Sequence, residues 1–335
     1  MLRLIGIDEA GYGPVLGPLV VAATVWDIDG EACADADREA EALQPPDLWQ
    51  RLAASVRRTA RGAAGRLIVG DSKEVFDRKR GVGTLERTVR AFAAAGGAPV
   101  DRLAPLLRHV SDRSGEGGTR MPWYRALDRA LPVDGVLGSI GEMGQRLGDE
   151  LQRAQVTYRG ARVEIVAEDR YNDRVAATRN KSVVVVEQVL RLIERGIGDW
   201  GGPVWIVVDR LGGRANYRSI LRDAWPDRAL SETEATAERS AYQLAPGGAD
   251  SKSSPWSVEF RVGADEHHLP VALASMTAKY IRELLMGAFN EFWGTRLPGL
   301  RPTAGYYTDA QRFLAEIAPC SAELGIPQER FVRAR

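Results

Sequence analysis

Five consecutive apolar residues, Val204 to Val208, end abruptly in a carboxylate, Asp209. An unbroken run of this kind suits a central strand covered on both faces, which commits the chain to a sheet inside layers of other structure. A second strand signal, Leu2 to Ile7, stops in the same way at Asp8-Glu9, and Leu19 to Val25 follows after a turn rich in Gly and Pro. The pair predicts a hairpin of adjacent antiparallel strands with a link longer than a tight turn. Val163 to Ala167 predicts a shorter strand. Ser182 to Arg195 has the spacing of a helix packed on the sheet, and Ala274 to Phe292 that of a second helix. The order is hairpin, insertion, strand, helix, strand, then helices. It predicts an α/β architecture: a mixed β-sheet flanked by helices.

Composition narrows the class. The 335 residues are 44% hydrophobic and 27% charged, enough for one large domain or two ordinary ones. Two cysteines, Cys33 and Cys320, exclude a disulfide scaffold and a four-cysteine metal cluster, so a reducing cytoplasmic setting is expected. Charges arrive too early for a signal peptide, and no apolar run nears the roughly 20 residues of a membrane helix. A net charge of zero argues against a uniformly basic nucleic-acid coat and leaves room for a local basic groove. Residues 27–50 carry a net −7 and residues 51–80 a net +6; the latter reads either as a solvated helix face or as a phosphate-facing surface. Between 96 and 159 the pattern weakens, which predicts an insertion or subdomain.

The sharpest local feature is Gly6-Ile7-Asp8-Glu9-Ala10-Gly11-Tyr12-Gly13-Pro14. Adjacent carboxylates at a strand end repel each other and are best tolerated around a divalent cation; the alternative is a charged turn capping a strand. The glycines allow close backbone approach to a phosphate or sugar. Asp209 ends a buried strand too, so if the two strands are neighbours, Asp8, Glu9 and Asp209 converge as oxygen ligands suited to Mg²⁺ or Mn²⁺ and to phosphoryl transfer. Other chemistries fare worse. Gly11-x-Gly13 lacks the third glycine of a dinucleotide fingerprint, and no Gly-Lys-Ser/Thr phosphate loop occurs. His267-His268 would point apart on a strand, His109 has no nearby partner, and neither cysteine has a base beside it.

Five motifs together resemble type 2 ribonucleases H, the ribonuclease HII family. They are Gly6 to Pro14 with Gly17-Pro18; Asp71-Ser72-Lys73 followed by Arg78-Lys79-Arg80; Val207-Val208-Asp209; Ala274 to Glu283; and Gly305-Tyr306-Tyr307-Thr308. The resemblance spans residues 6 to 308 and leaves out the insertion. It implies a ribonuclease-H-like catalytic domain from 1–95 and 160–295, with a C-terminal helical extension from 296–335. It also implies endonucleolytic hydrolysis of RNA in RNA–DNA hybrids, or at ribonucleotides embedded in duplex DNA, by a chain expected to be monomeric and to need no membrane.

Carried over by position, Asp8, Glu9, Asp209 and Glu283 are the implied catalytic, metal-holding acids for Mg²⁺ or Mn²⁺. Gly11, Tyr12 and Gly13 would lie against the sugar-phosphate, Ser72, Lys73 and Lys279 would contact or orient phosphates, and Tyr306 would stack on a flanking deoxyribose. Two positions depart from the family. Tyr12 stands where Arg or Lys is usual, and Glu283 where Asp is usual. They motivate an alternative, a divergent hybrid-binding protein of the same fold with weak or no cleavage. Bland readings stay open as well: Lys279 and Arg282 on the exposed side of a helix, Tyr306 and Tyr307 as packing aromatics, and Ser72 as a helix cap.

Overall fold

The structure, a computed structural model, describes residues 1–29, 45–76, 81–111, 121–125, 127–133, 140–247 and 254–334, without the side chains of 73 and 74. Cys33 and the basic run Arg78-Lys79-Arg80 lie outside the described residues.

Strands β1 (Leu2–Ala10) and β2 (Leu19–Ile28) form the expected antiparallel hairpin, with Leu2 opposite Ile28 and Ala10 opposite Val20. Helix α1 (Leu48–Arg51), the two-residue parallel strands β3 (Val56–Arg57) and β4 (Leu67–Ile68), and α2 (Ser72–Val75) follow. Among the described residues of the +6 stretch the charge is not carried on one helix face: Arg57, Arg58 and Arg61 are exposed outside the helices. The weakly patterned region holds α3 (Gly83–Ala95) at its border, then α4 (Leu103–Val110) and α5 (Ile140–Arg153).

Next come β5 (Val156–Val166), α6 (Glu168–Thr178), α7 (Lys181–Ile197) and β6 (Val204–Asp209). The chain continues through α8 (Arg218–Ala224), β7 (Arg228–Ala235), β8 (Arg239–Pro246) and β9 (Trp256–Arg261). It ends in α9 (Ala264–His267), α10 (Leu269–Gly294), α11 (Tyr307–Glu323) and α12 (Gln328–Phe331).

One seven-stranded mixed sheet has the order β5-β2-β1-β6-β9-β8-β7. β1, β6 and β9 run parallel in its centre, and the antiparallel pairs lie outside them. Helices flank the sheet on both faces and the C-terminal region is helical, as expected for a ribonuclease-H-like fold. On one face α10 covers Leu4, Ala22 and Val207 within a core that also takes in Phe92, Leu147, Phe289 and Phe331. On the other, α6 and α7 bury Tyr171, Val185, Val189 and Ile193 against Ile5, Ile7, Val21 and Ile206. Successive residues of a strand thus feed two separate apolar layers, which is why β1 and β6 read as continuous apolar runs.

Three expectations need correcting. The strand foreseen at Val163 begins at Val156, because its first half alternates buried and exposed residues rather than forming an apolar run. Strands β7, β8 and β9 follow β6 where only helices were expected. β7 (Arg228 to Ala235) lacks a fully buried residue and offers no apolar signal. The two histidines are not on a strand: His267 ends α9, and His268 is the cap residue before α10. Burial then pushes the His268 imidazole down to about 4.

Candidate active site

The parallel pairing of β1 with β6 decides where the acids go. Gly6 lies opposite Val207 and Ile7 opposite Val208, so Asp8 and Asp209 are the next residues on neighbouring strands. Val207 and Ala22, the cross-strand partner of Asp8, both belong to the layer under α10, which places the two aspartates on that face. Glu9 is paired with Val21 of the opposite layer and leaves β1 on the other side.

Asp8 is 7% exposed. Its Oδ1 accepts the Glu9 amide at 2.7 Å. Burial, then the charges of Glu9 and Asp209, hold its carboxyl well above the usual carboxylate range, against a lowering hydrogen bond from Ser275. Asp209 Oδ1 accepts the Ala264 amide at 2.9 Å, which fixes it at the start of α9.

The helix face beside Asp8 is built by α10. A Cβ on Gly6 would run into the backbone of Pro270 and Val271, so the missing side chain lets α10 lie directly on β1. One turn on, Ser275 Oγ meets Ser72 Oγ at 3.1 Å, and this brings the Asp71-Ser72-Lys73 segment to the aspartates. Ser72 opens α2 and is buried, so it packs at the site as well as starting a helix. Lys73 is in α2, its side chain outside the described residues.

Lys279 and Glu283 continue the Ser275 stripe by one and two turns. They pair with each other, Nζ to Oε1 at 2.6 Å, while the Lys279 ammonium sits 4.6 Å from the Phe76 ring centroid. Glu283 thus stands two turns along α10 from the residue that touches Asp8. Among the described residues, no group of three or more His, Cys, Asp or Glu side chains stands close enough to hold a metal ion. Asp8 and Asp209 thus share one face at the strand ends, Glu9 leaves from the other face, and Glu283 lies further along α10, paired with Lys279.

The loop between β1 and β2 closes the other side. Gly11 and Gly17 have φ of +92° and +82°, conformations that favour glycine. The space beside each is taken by α10, through Arg282 and Met286. Arg282, 1% exposed, donates to Leu16 O at 3.2 Å and Ala304 O at 3.3 Å, so it is not on an exposed helix side. Gly13 is exposed, with nothing within 4 Å of where a Cβ would stand. Tyr12 is half-buried; the Lys181 ammonium lies 5.5 Å from its ring centroid, and Arg214 is close enough to act on its hydroxyl. Gly305 O accepts the amides of Val15 at 2.8 Å and Leu16 at 3.2 Å, which brings the Gly305-Tyr306 element against the loop and leaves Tyr306 52% exposed.

Two contributors were missed in the sequence. Lys181 is one of five lysines and carries no motif, although a cation at the first residue of a helix, with no acid in its first turn, opposes the helix dipole and is a signal in itself. Arg333 donates to the carbonyls of the loop and had no signal among 40 arginines.

No family model matches the chain, and no curated protein matches it. Solved structures do. The chain is similar to RNase HII of Archaeoglobus fulgidus, solved as a complex with PCNA, at 16% identity over 99% of this chain and 94% of that one, with a TM-score of 0.39. It is similar to ribonuclease H2 of Pyrococcus horikoshii OT3 at 15% identity, over 99% and 92%, TM-score 0.41. A third likeness is Bst-RNase HIII in complex with Mn²⁺, at 13% identity over 99% and 66%, TM-score 0.41. At these identities and TM-scores the likenesses add no weight to the residues already placed. No helix among the described residues is long and apolar enough to cross a membrane.

Proposed function

We propose that the chain is a divalent-metal-dependent endonuclease that hydrolyses RNA in RNA–DNA hybrids, or at ribonucleotides embedded in duplex DNA, leaving 3′-hydroxyl and 5′-phosphate ends. One observation carries the reading. Asp8 and Asp209 stand level on adjacent parallel strands, and Asp8 meets Ser275, itself bonded to Ser72, at the same end of the sheet as the Gly11-Tyr12-Gly13 loop. Four motifs far apart in sequence therefore share one place.

Asp8, Glu9, Asp209 and Glu283 would hold Mg²⁺ or Mn²⁺. The donor chemistry fits, because the set is all hard oxygen and the mutual repulsion around Asp8 is what a cation relieves. When bound, such ions supply an activated water and stabilise the leaving oxygen of an in-line displacement. The protein's own groups do the rest. The Glu9 amide and Ser275 fix the rotamer of Asp8, and the Ala264 amide fixes that of Asp209, so neither carboxylate must be ordered when substrate arrives. Ser72, Lys73 and Lys279 contact or orient phosphates. The backbone of Gly11 to Gly13 lies against the sugar-phosphate, where the 2′-OH separates RNA from DNA. Tyr306 stacks on the neighbouring sugar.

The test is cleavage of a hybrid, a single-ribonucleotide duplex and an all-DNA duplex, each with Mg²⁺ or Mn²⁺. Cutting at ribonucleotides alone is expected; cutting of all-DNA duplex would reassign the chain to another nuclease class. The Lys279–Glu283 ion pair favours a second reading, hybrid binding with weak or no cleavage. Tight binding without product in either metal is its signature.

A further inference from the structure

The loop after β1 is fastened from behind by a residue 322 positions downstream. Arg333, 3% exposed, donates through Nη1 to Gly11 O at 2.6 Å and through Nη2 to Tyr12 O at 2.9 Å. The same Nη1 reaches Gly17 O at 3.5 Å, and the Arg333 amide donates to Val15 O at 2.8 Å. One guanidinium thus spans both ends of the loop, which the rigid fork of arginine permits and the single ammonium of lysine does not.

The arm that carries Arg333 is itself held. Asn172 of α6 donates to Val332 O at 2.8 Å and Glu329 O at 2.9 Å, and accepts the Ala334 amide at 2.8 Å. The Arg333 guanidinium lies 4.2 Å from the Tyr171 ring centroid. Phe331, fully buried, anchors the arm against Trp123 and Trp293.

A trans peptide unit carries its C=O and the next N–H on opposite sides. With the Gly11 and Tyr12 carbonyls turned onto Arg333, the N–H groups of Tyr12 and Gly13 face away from it. Beside Gly13 the space is open. Two successive outward amides form a concavity that suits an anionic oxygen.

We infer that Arg333 is a positioning residue: it orients the Tyr12 and Gly13 amides toward a phosphate of the nucleic-acid substrate, so that residues 332–334 are part of the substrate site. The inference rests on the proposed reading of that loop as a sugar-phosphate contact.

The experiment compares the whole chain with Arg333→Lys and Arg333→Ala, and with Asn172→Ala, which loosens the arm without touching the loop. Amide hydrogen exchange is followed without substrate, and KM and kcat are measured on a hybrid. The Val15 and Leu16 amides, which donate to Gly305 O in the parent chain, are expected to exchange at least tenfold faster in each variant, with β1, β2 and β6 unchanged. KM should rise about tenfold or more while kcat falls less than threefold, because misplacement of a binding group by an ångström is costly. Unchanged exchange at Val15 and Leu16, or faster exchange throughout the sheet with kcat falling as much as KM rises, would overturn the inference. If the parent chain binds hybrid without cutting it, Kd replaces KM. A failure of the nuclease reading then leaves the loop question decided by exchange and affinity.

Discussion

At the scale of single residues, Asp8 trades stability for chemistry. A carboxyl whose folded pKa lies above its unfolded value stabilises the fold only while protonated, and that contribution is lost as pH rises through the folded pKa. Near neutral pH without added metal, Asp8→Asn should therefore raise the unfolding temperature, by ~2–4 °C for each kcal/mol of repulsion relieved. It should also abolish hybrid cleavage while leaving hybrid binding largely intact. Thermal unfolding by circular dichroism and a gel assay check both halves, and retained cleavage would remove Asp8 from the site. Lys181 makes a different prediction. It stands by the Tyr12 ring, so its charge is available to a phosphate approaching the loop. Lys181→Ala should weaken hybrid binding uniformly across sequences and lower the slope of log Kd against log salt by about one. An unchanged slope would make Lys181 a bystander.

Among elements, the contact of α10 with β1 matters most, and Gly6 allows it. Any side chain there must push the helix off the strand, since the obstacle is the Pro270–Val271 backbone, not a movable side-chain tip. Gly6→Ala is expected to cost about 1–3 kcal/mol or more in urea unfolding, and to shift Ser275 relative to Asp8. A change under about 0.5 kcal/mol would mean that α10 can drift without penalty. The same comparison shows what the sequence made legible. β1, β2 and β6 were readable because burial on both faces demands apolar runs, and the carboxylates at the ends of β1 and β6 marked the candidate site. β7 was hidden, as a strand whose residues alternate between half-buried and exposed has no apolar stripe to report. Glu283 was legible as a motif position but not in its surroundings, because pairing with Lys279 depends on rotamers that spacing alone does not set.

For the molecule as a whole, a second buried acid adds to the response to pH. Glu168, at the start of α6 and fully buried, accepts from the Tyr124 hydroxyl at 3.1 Å, and desolvation pushes its carboxyl up to about 7. The fold therefore binds a proton that the unfolded chain has already released. Its contribution is full below the ordinary value of 4.5 and is lost as pH rises through about 7. The interval corresponds to on the order of 3 kcal/mol. Glu168→Gln should flatten the fall of urea-unfolding stability between pH 4.5 and 7; an identical profile would place the proton elsewhere. The Arg333 contact carries a further consequence, for the nascent chain. At roughly 5–20 residues per second, the 322 residues that separate Arg333 from Gly11 take about 15–60 s to synthesise. The hairpin and its aspartates can form early on the ribosome, yet the loop beside them is not locked until that arm emerges. Translation itself delays completion of the site.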